Sequence, residues 1–390
     1  MQQLQELRQK IGELDSELLA IFAKRRQLSQ QVAENKYAHN RNIRDHEQEK
    51  RLLEVLTQQG LKIGIPENTT LSLFHNIIED SVRSQYDYFL KQANRYRKSI
   101  DIALLGEAHS YSHMAAQNHF TNTVQSLNTT FCSSFMDVFK QVADGHVELG
   151  LVPIENTTSG NIIEVFDLLI EHDLKIVGEE KLKVKHCLIG THNATLESIK
   201  DVYSHPQAIA QCKNFFSRNP KINSHYRNST SSALSMVKEY QNPSIAAIAS
   251  EMAAQKSGLK IIDYGINNYQ ENYTRFLLIS RTDIQVPKTV PAKTSILLHT
   301  HQETGSLLEC LHVLKQHKVN MSKLESRPIP TKPWQEMFYI DFDGNISHAN
   351  IQKVLEKLAA VTTHLQVLGC YPKHDVIATH LNSDSINYKL

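Results

Sequence analysis

Apolar residues recur three and four positions apart along the first 35 residues. This stripe consists of Leu4, Leu7, Ile11, Leu14, Leu18, Ile21, Leu28 and Val32. Side chains at this spacing share one face of a helix, and no proline interrupts the stripe, so the pattern predicts one long helix over residues 4–35. Two further helices are predicted at about 44–59 and 67–96, separated by a turn-like segment. Three helices do not bury such a long stripe by themselves, so a partner chain is its natural cover.

The pattern changes near residue 100, where short apolar runs alternate with helical stretches. Runs at 100–105, 150–154 and 244–249 have the length of buried strands and predict an α/β domain. A proline-punctuated segment at 286–291 is typical of a linker. After it the chain offers a strand at 294–299, a helix at 306–317, two strand-like runs, a helix at 347–363 and a strand at 366–371. This βαββαβ order predicts a ferredoxin-like module.

Size, charge and cysteine content limit the possible classes of protein. At 390 residues the chain is longer than one hydrophobic core usually serves, so two or three domains are expected. A net charge of +1, with both signs mixed throughout, argues against a nucleic-acid or membrane-surface partner. Five cysteines without a C-x-x-C pair favour free thiols in a reducing compartment. The absence of an apolar signal segment and of an apolar run of about 18 residues predicts a cytoplasmic location.

Three short runs in the remaining chain carry candidate chemistry. Val-Pro-Ile-Glu-Asn-Thr-Thr-Ser-Gly spans 152–160, Asn-Tyr-Thr-Arg-Phe spans 272–276 and Glu-Ser-Arg-Pro spans 325–328. The first run places Glu155 and Asn156 at the carboxyl end of an apolar strand, where open α/β sheets bind ligands. A helix cap is the ordinary explanation for an isolated Asn-Thr pair, but the nine-residue string is much more specific.

These runs resemble the signatures of a known family. The first two resemble the substrate-binding and catalytic signatures of prephenate dehydratase, and the third resembles the phenylalanine-binding signature of the ACT regulatory domain that follows it. The residues that match the active-site set of the helical chorismate mutases in type and spacing are Arg8, Arg25, Lys36, Asp45, Glu49, Ser81 and Gln85. Over essentially its whole length the chain is therefore similar to the bifunctional chorismate mutase/prephenate dehydratases.

The resemblance implies a multidomain enzyme of phenylalanine biosynthesis. Its expected parts are an all-α, three-helix chorismate mutase domain at 1–96, an α/β two-lobed dehydratase domain at 100–283 that resembles type II periplasmic binding proteins, and a ferredoxin-like βαββαβ ACT domain at 293–374. Chorismate and prephenate would be its substrates and L-phenylalanine its allosteric inhibitor. It would form a homodimer or higher homo-oligomer, use no cofactor or metal, and bind neither nucleic acid nor membrane.

The spacing of two arginines bears on the assembly of the mutase domain. Arg8 and Arg25 lie on one predicted helix, so a rise of about 1.5 Å per residue separates them by roughly 25 Å. If both bind one small dicarboxylate, as in the resembling family, Arg8 must serve the site of the partner subunit. The sequence therefore predicts an intertwined dimer, in which these arginines hold the two carboxylates of chorismate by charge-assisted bonds.

The other mutase residues would act on the rearrangement of chorismate to prephenate, which needs neither nucleophile nor cofactor. Negative charge grows on the ether oxygen as its C–O bond breaks, so Lys36 and Gln85 aimed at this oxygen would stabilise the transition state. Asp45 and Glu49 are four residues apart and share a helix face. They would hold the ring hydroxyl or orient the cations, and Ser81 would be a secondary contact.

The dehydratase reaction removes carbon dioxide and a ring hydroxyl from prephenate, and the poor leaving group requires a general acid. By resemblance Thr274 has this role. A lone threonine hydroxyl is too weak an acid, so we expect a network with Asn156, Gln211 or Glu155. His205 is an alternative proton donor, although a structural histidine beside a proline is the commoner case. Aromatisation drives the reaction, so no cofactor is required.

Further residues of the dehydratase site follow from the same resemblance. The substrate-binding set is Glu155, Asn156, Thr157, Ser204, Gln211, Ser229 and Arg275. Ser229 precedes a helix whose backbone N–H groups suit a carboxylate. Arg275 is expected to be structural or carboxylate-orienting rather than catalytic.

One segment departs from the family pattern Gly-Pro-x-Gly-[Ser/Thr]-[Tyr/Phe]-Ser. At 106–112, Glu107 replaces the proline and His109 replaces the second glycine. If that glycine normally takes a positive φ, His109 is strained there. Ser110 and Ser112 are therefore weaker candidates for ligand contacts.

The C-terminal module would bind a free amino acid, which needs an acceptor for its ammonium group and donors for its carboxylate. Glu325 suits the first requirement and backbone groups near Gly305 suit the second, with a capped turn as an equally good explanation of the glycine. The full set implied by resemblance is Gly305, Leu307, Glu325, Ser326, Arg327 and Pro328.

Two other functions are compatible with parts of the sequence. Residues 101–285 could form a non-catalytic ligand-binding module, but the Thr-Arg-Phe run and the missing secretion signal favour an enzyme. A mutase fused to a dehydrogenase would need a G-x-G-x-x-G turn, and none of the 14 glycines is followed by another two residues on.

Overall fold

A computed structural model describes residues 2–94, 98–121, 124–329, 332 and 334–373. The described chain divides into two compact units. A helical unit holds the residues up to 94 together with 285–291, and a larger unit holds 98–284 and 292–373. No helix among the described residues is long and apolar enough to cross a membrane.

Three helices form the helical unit. They are α1 (Gln2–Ala38), α2 (His46–Lys62) and α3 (Glu67–Ala93). The three predicted helices are thereby confirmed, with α1 and α2 extending about one turn further than their apolar patterns. The side chain of Asp45 accepts a hydrogen bond from the Gln48 backbone at 3.1 Å and so caps the start of α2. The segment 285–291 joins this unit through paired bonds between Asn94 and Gln285.

The first half of α1 is exposed throughout. Residues 3–21 are all exposed, including the apolar stripe predicted from the sequence. The exposed apolar side chains of α1 are Leu4, Leu7, Ile11, Leu14, Leu18, Leu19, Ile21, Leu28 and Val32. A continuous apolar surface of this kind is typical of an interface with another chain.

The larger unit begins with a two-lobed α/β domain. In chain order its elements are β1 (Ser99–Leu105), α4 (Tyr111–Phe120), β2 (Ser126–Cys132), α5 (Phe135–Ala143), β3 (Leu149–Asn156), β4 (Gly160–Asn161), α6 (Ile163–Glu171), β5 (Lys175–Lys183), β6 (Cys187–Gly190), β7 (Asp201–Ser204), α7 (Pro206–Ala210), α8 (Lys213–Arg218), β8 (Asn223–Tyr226), α9 (Thr230–Tyr240), β9 (Ile245–Ala249), α10 (Glu251–Ser257), β10 (Lys260–Asp263) and β11 (Tyr273–Ser280). The predicted alternation of strands and helices is confirmed.

Each lobe is built on one mixed sheet. The first lobe has the strand order β2-β1-β3-β11-β5, with β4 paired to β3, and the second has β10-β6-β9-β7-β8. The chain passes from the first lobe to the second at 184–186 and returns at 264–272. Hydrogen bonds join the two crossings. The backbone N–H of Val184 donates to the Asn272 carbonyl at 2.7 Å, and the backbone N–H of His186 donates to Asn267 Oδ1 at 2.7 Å.

The C-terminal module has the predicted βαββαβ order. Its elements are β12 (Ala292–Thr300), α11 (Ser306–Gln316), β13 (Met321–Pro328), β14 (Glu336–Asp343), α12 (Ala349–Ala360) and β15 (Thr362–Pro372). They form an antiparallel sheet of order β13-β14-β12-β15. The two helices bury one face of this sheet, in a core that includes Cys310, Val313 and Val354.

The other face of this sheet packs against the first lobe. Leu297, Met337 and Tyr371 share a buried cluster with Phe166 and Leu169 of α6. Glycine is required at 369, since an added Cβ would lie 2.0 Å from the Ile176 carbonyl oxygen on β5. The module is therefore in close backbone contact with the domain that carries the dehydratase signatures.

Candidate active sites

Part of the predicted mutase set meets where α1 packs on α3. The Arg25 guanidinium donates to the Ser81 hydroxyl and to the Ile77 carbonyl, the latter at 3.3 Å. Gln85, one turn along, donates to the hydroxyl of Ser29 at 3.3 Å. The Oε1 atom of Gln85 is buried without a hydrogen-bond partner among the described residues. Burial lowers the pKa of Arg25, and Asp80 partly offsets this effect.

The remaining mutase residues lie around the start of α2. Lys36 donates to the Ile43 carbonyl. Burial lowers the pKa of Lys36, and the carboxylates of Asp45 and Glu49 partly offset this effect. Glu49 is itself bonded to Arg44 at 3.1 Å. The structure thus brings the predicted Lys36, Asp45 and Glu49 together and adds Arg44, which the sequence reasoning did not name.

Arg8 is exposed on the first half of α1. Because α1 is one uninterrupted helix from Gln2 to Ala38, the separation of roughly 25 Å between Arg8 and Arg25 holds. Arg8 therefore does not reach the Arg25 site of its own chain. The intertwined dimer, which would supply the second arginine, stays a prediction.

In the two-lobed domain, Asn156 is the centre of a buried hydrogen-bond network. Asn156 and Thr274 are paired directly across β3 and β11. The Asn156 amide nitrogen donates to Thr274 Oγ1 at 3.0 Å and to Asn272 Oδ1 at 2.8 Å. Its oxygen accepts from the backbone N–H groups of Thr158 and Ser159 at 2.9 and 3.0 Å. The side chain of Asn156 is therefore held in one orientation, with its donor group facing Thr274.

Gln211 connects this network to the second lobe. Its amide nitrogen donates to Asn156 Oδ1 at 3.2 Å and to the hydroxyls of Thr158 and Ser159 at 3.0 Å each. Its oxygen lies 3.2 Å from Asn272 Nδ2 and 2.9 Å from His186 Nε2. The predicted network around Thr274 thus contains Asn156 and Gln211.

Glu155 and Arg275 lie outside this network. They are paired across the same two strands, one residue before Asn156 and one after Thr274. Because neighbouring residues on a strand point to opposite faces of the sheet, their side chains leave the Thr274 side. Glu155 therefore does not join the proton network of Thr274, and the structure does not bring these two residues together with it.

Arg275 instead organises a buried ionic cluster that faces the C-terminal module. Its guanidinium bonds Glu179 at 2.8 Å, Asp341 of β14 at 2.6 Å and Glu155 at 3.1 Å. Lys323 of β13 approaches the second oxygen of Glu155 at 2.6 Å. Burial would lower the pKa of Arg275, but Asp341, Tyr371, Tyr339 and Glu179 together more than offset this and raise it. Burial likewise would raise the pKa of Glu155, but Lys323 and Arg275 hold it below its ordinary value.

The other predicted substrate contacts bond within the protein. The Thr157 hydroxyl accepts from the Tyr273 N–H at 2.9 Å, and the Ser204 hydroxyl is buried and donates to the Ile248 carbonyl at 2.7 Å. Ser229 caps α9 in a capping box. His205 caps α7, with its ring nitrogen accepting from the Gln207 N–H at 3.2 Å. These side chains therefore bond to backbone groups of the domain. For His205, a capping role explains its position better than a role as proton donor.

The segment 106–112, which departs from the family pattern, has a positive φ at His109, as the sequence led us to expect. His109 has a φ of 67°, the left-handed region that favours glycine. Its backbone N–H donates to His113 Nδ1 at 2.9 Å, which holds the turn. Ser110 caps α4 by accepting from the His113 N–H at 3.3 Å.

The predicted regulatory residues lie on β13 and at the start of α11. Glu325 accepts a hydrogen bond from Asn161 of the first lobe, and Lys323 donates to the oxygen of the same amide. Arg327 binds Asp167 of α6 through two bonds of 2.9 Å. The alternate residues Ser326 and Pro328 are exposed, and Leu307 is half-buried. Gly305 precedes α11 with a φ of 90°.

Sequence reasoning missed Tyr111 and His186. Tyr111 lies 75 positions before His186, and their hydroxyl and Nδ1 atoms are 2.9 Å apart. Tyr111 stands at the aromatic position of the 106–112 segment but was given no role, and His186 belongs to no recognised motif. Asn272, by contrast, opens the Asn-Tyr-Thr-Arg-Phe run, so its position was signalled although its role was not.

Comparison with known proteins assigns the chain to a family. A family model for chorismate mutase type II matches residues 7–86, and one for prephenate dehydratase matches residues 102–284. A bifunctional chorismate mutase/prephenate dehydratase of Enterobacter agglomerans is 41% identical over 372 residues, which cover 95% of this chain and 96% of the relative. The chain belongs to the bifunctional chorismate mutase/prephenate dehydratases.

Solved structures resemble most of the chain. A prephenate dehydratase from Arthrobacter aurescens, solved in complex with L-Phe, has a TM-score of 0.65 at 24% identity and covers 73% of this chain and 94% of its own. GqqA, described as a novel type of quorum quenching acylase, has a TM-score of 0.63 at 28% identity over 70% of this chain and 97% of its own. The dehydratase model coincides with the two-lobed domain, and the C-terminal module lies beyond both family models.

Proposed function

We propose that the chain converts chorismate to prephenate in its helical unit and prephenate to phenylpyruvate in the cleft beside Thr274. The observation that carries this assignment is the network that aims the Asn156 amide at Thr274 Oγ1, from a strand pair that also carries the family motifs. The two reactions are consecutive, since the product of the first is the substrate of the second.

In the mutase reaction, Arg25 and Arg8 of the partner subunit hold the two carboxylates in the reactive conformer. Lys36 and the buried amide of Gln85 face the ether oxygen that becomes negative. The Gln85 amide is buried and its oxygen has no partner among the described residues, while its nitrogen donates to Ser29. A half-turn of the amide, which exchanges oxygen and nitrogen, would present an N–H group to the ether oxygen. An amide buried in this way is suited to a substrate polar group.

In the dehydratase reaction, the ring C–C bond to the carboxylate breaks and its electrons enter the ring as the C–O bond to the hydroxyl breaks. The Thr274 hydroxyl gives its proton to this departing hydroxyl, which leaves as water, and solvent returns a proton to Thr274 after carbon dioxide has left. The Asn156 N–H bonded to Thr274 Oγ1 stabilises the negative charge that develops on that oxygen. Gln211 holds Asn156 in place.

A single assay tests the combined activity. Full-length protein incubated with chorismate, without added cofactor, is expected to form prephenate first and phenylpyruvate afterwards. Purified prephenate supplied directly should give phenylpyruvate at once. If chorismate is consumed and prephenate accumulates without further conversion, the dehydratase assignment is wrong; if prephenate is converted and chorismate is not, the mutase assignment is wrong.

We further propose that L-phenylalanine regulates the dehydratase through the C-terminal module, acting as an ACT domain. A structural neighbour solved with L-Phe is consistent with this proposal. Glu325 would accept the ligand ammonium group in place of Asn161, its present partner. Lys323 bonds both Asn161 and Glu155, and Glu155 precedes Asn156 on β3. A change at Glu325 would therefore reach the proposed catalytic strand through the side chains of Asn161 and Lys323.

The domain limits and the assembly are also proposals. We place the domains at 1–96, 100–283 and 293–374, and we infer an intertwined homodimer from the exposed apolar stripe of α1. All five cysteines are buried and free, which supports a reducing, cytoplasmic location.

A further inference from the structure

The network at Thr274 fixes proton positions well beyond Thr274 itself. Backbone N–H groups only donate, so the Asn156 side-chain atom that faces those of Thr158 and Ser159 must be its oxygen. The Asn156 nitrogen therefore faces Thr274. An oxygen that accepts this bond keeps its own hydrogen to donate, which is the arrangement a general acid needs.

The same reasoning sets the orientation of Gln211. Its amide group faces Asn156 Oδ1, an acceptor, so the atom at 3.2 Å must be the Gln211 nitrogen. The Gln211 oxygen consequently faces His186 Nε2 at 2.9 Å. Two acceptors would repel each other at this distance, so His186 must carry a proton on Nε2.

His186 is 2% exposed, and burial lowers its pKa to about 4. The ring is therefore neutral at physiological pH and carries a single proton, on Nε2. Its Nδ1 atom is then an acceptor. The Tyr111 hydroxyl lies 2.9 Å from Nδ1 and 3.0 Å from the Lys185 carbonyl oxygen, so its one hydrogen faces both acceptors. Each donor in the series from His186 through Gln211 and Asn156 to Thr274 is thus determined by its neighbour.

His186 also has a distinctive location. It lies at the first crossing between the lobes, directly before β6, while Tyr111 begins α4 in the first lobe and Gln211 follows α7 in the second. The series Tyr111, His186, Gln211 therefore spans the crossing. His186 therefore contacts residues of both lobes, Tyr111 in the first and Gln211 in the second.

We propose that His186, as an Nε2–H donor to Gln211, is a positioning residue for the dehydratase reaction. It orients the Gln211 amide, which orients Asn156, which in turn directs the Thr274 hydroxyl. This inference rests on the proposed dehydratase function of the same site. It assigns no contact between His186 and the substrate, so loss of the donor should affect the chemical step more than substrate binding.

Two substitutions of His186 distinguish the effect of its N–H donor from the effect of its volume. His186→Gln keeps an N–H group at about the place of Nε2, whereas His186→Leu keeps the bulk and removes the donor. We expect His186→Leu to lower the dehydratase kcat about 10-fold or more with KM changed less than about threefold, and His186→Gln to retain most of kcat. Mutase turnover of the same preparations is the control, since that site lies in the helical unit.

The outcomes are distinct. Equal losses in both variants, wild-type kcat in His186→Leu, or a change confined to KM would overturn the positioning role. Inactivity of the wild type toward prephenate would instead refute the proposed function itself.

A second measurement covers the case in which His186→Leu does not fold. Nitrogen-15 NMR of histidine-labelled full-length enzyme at pH 7 should show an Nε2–H tautomer for the ring whose signals disappear in His186→Gln. An Nδ1–H tautomer for that ring would contradict the proposal.

Discussion

On the paired strands β3 and β11, neighbouring residues point to opposite faces of the sheet and contact different parts of the protein. Asn156 and Thr274 face the cleft, whereas Glu155 and Arg275 face the C-terminal module. The sequence contained both pairs, but it did not reveal which face each side chain takes, because that depends on the register between β3 and β11. The family motif therefore combines residues of the proposed catalytic network with interface residues within single tripeptides.

Substitution of Arg275 tests the interface assignment. Arg275→Met would leave Glu179 and Asp341 buried with one cation fewer, and breaking a buried pair of this kind costs about 3–5 kcal/mol. We expect a large fall in the urea concentration that unfolds the larger unit. Arg327→Met is the matched control: its partner Asp167 is more exposed, so the cost should be about 1 kcal/mol or less. Equal effects of the two substitutions would show that the buried cluster has no special role.

At the scale of elements, the periodicity of apolar residues predicted the helices of the first unit and the βαββαβ order of the C-terminal module. Strand ends were harder to predict. The apolar pattern ends at 154, but β3 continues through Asn156 because it pairs with β11 and β4. The contact between His186 and Tyr111 was not predictable, since only the crossing of two lobes brings residues so distant in sequence together.

The long α1 helix leads to a test of the shared mutase site. Arg8→Ala and Arg25→Ala homodimers should each lose most mutase activity, because every site lacks one arginine. After mixing and subunit exchange, a heterodimer rebuilds one site with both arginines, so activity should recover in part. Mixing two preparations of Arg8→Ala is the control and should recover nothing. Full exchange without any recovery would rule out the intertwined arrangement.

At the scale of the whole chain, the two compact units separate the two chemistries, and the C-terminal module packs directly on the first lobe of the dehydratase domain. The contact is both apolar, through residues such as Leu297 and Phe166, and ionic, through Arg275. A ligand of the module can change dehydratase turnover only by binding two states of this unit unequally. The contact with the first lobe provides a physical connection for that coupling.

Phenylalanine inhibition tests this coupling. Glu325→Ala removes the proposed ammonium acceptor, so both activities should persist without phenylalanine while inhibition of the dehydratase weakens strongly. Ser322→Ala, at an exposed position of the same strand outside the proposed site, is the control and should be inhibited like wild type. A coupling of about 1–3 kcal/mol corresponds to a shift of about 5- to 150-fold in the inhibitory concentration. Unchanged inhibition of Glu325→Ala would place the regulatory site elsewhere.

The most direct test of the catalytic account compares Thr274→Val with Thr274→Ser, using prephenate as substrate. Valine keeps the shape of threonine and removes the hydroxyl, whereas serine keeps the hydroxyl that Asn156 orients. Dehydratase kcat should fall about 100-fold or more in Thr274→Val and much less in Thr274→Ser. Mutase activity should be unchanged in both. A near-normal dehydratase kcat for Thr274→Val would contradict the assignment of Thr274 as the acid and return that role to another group of the cleft.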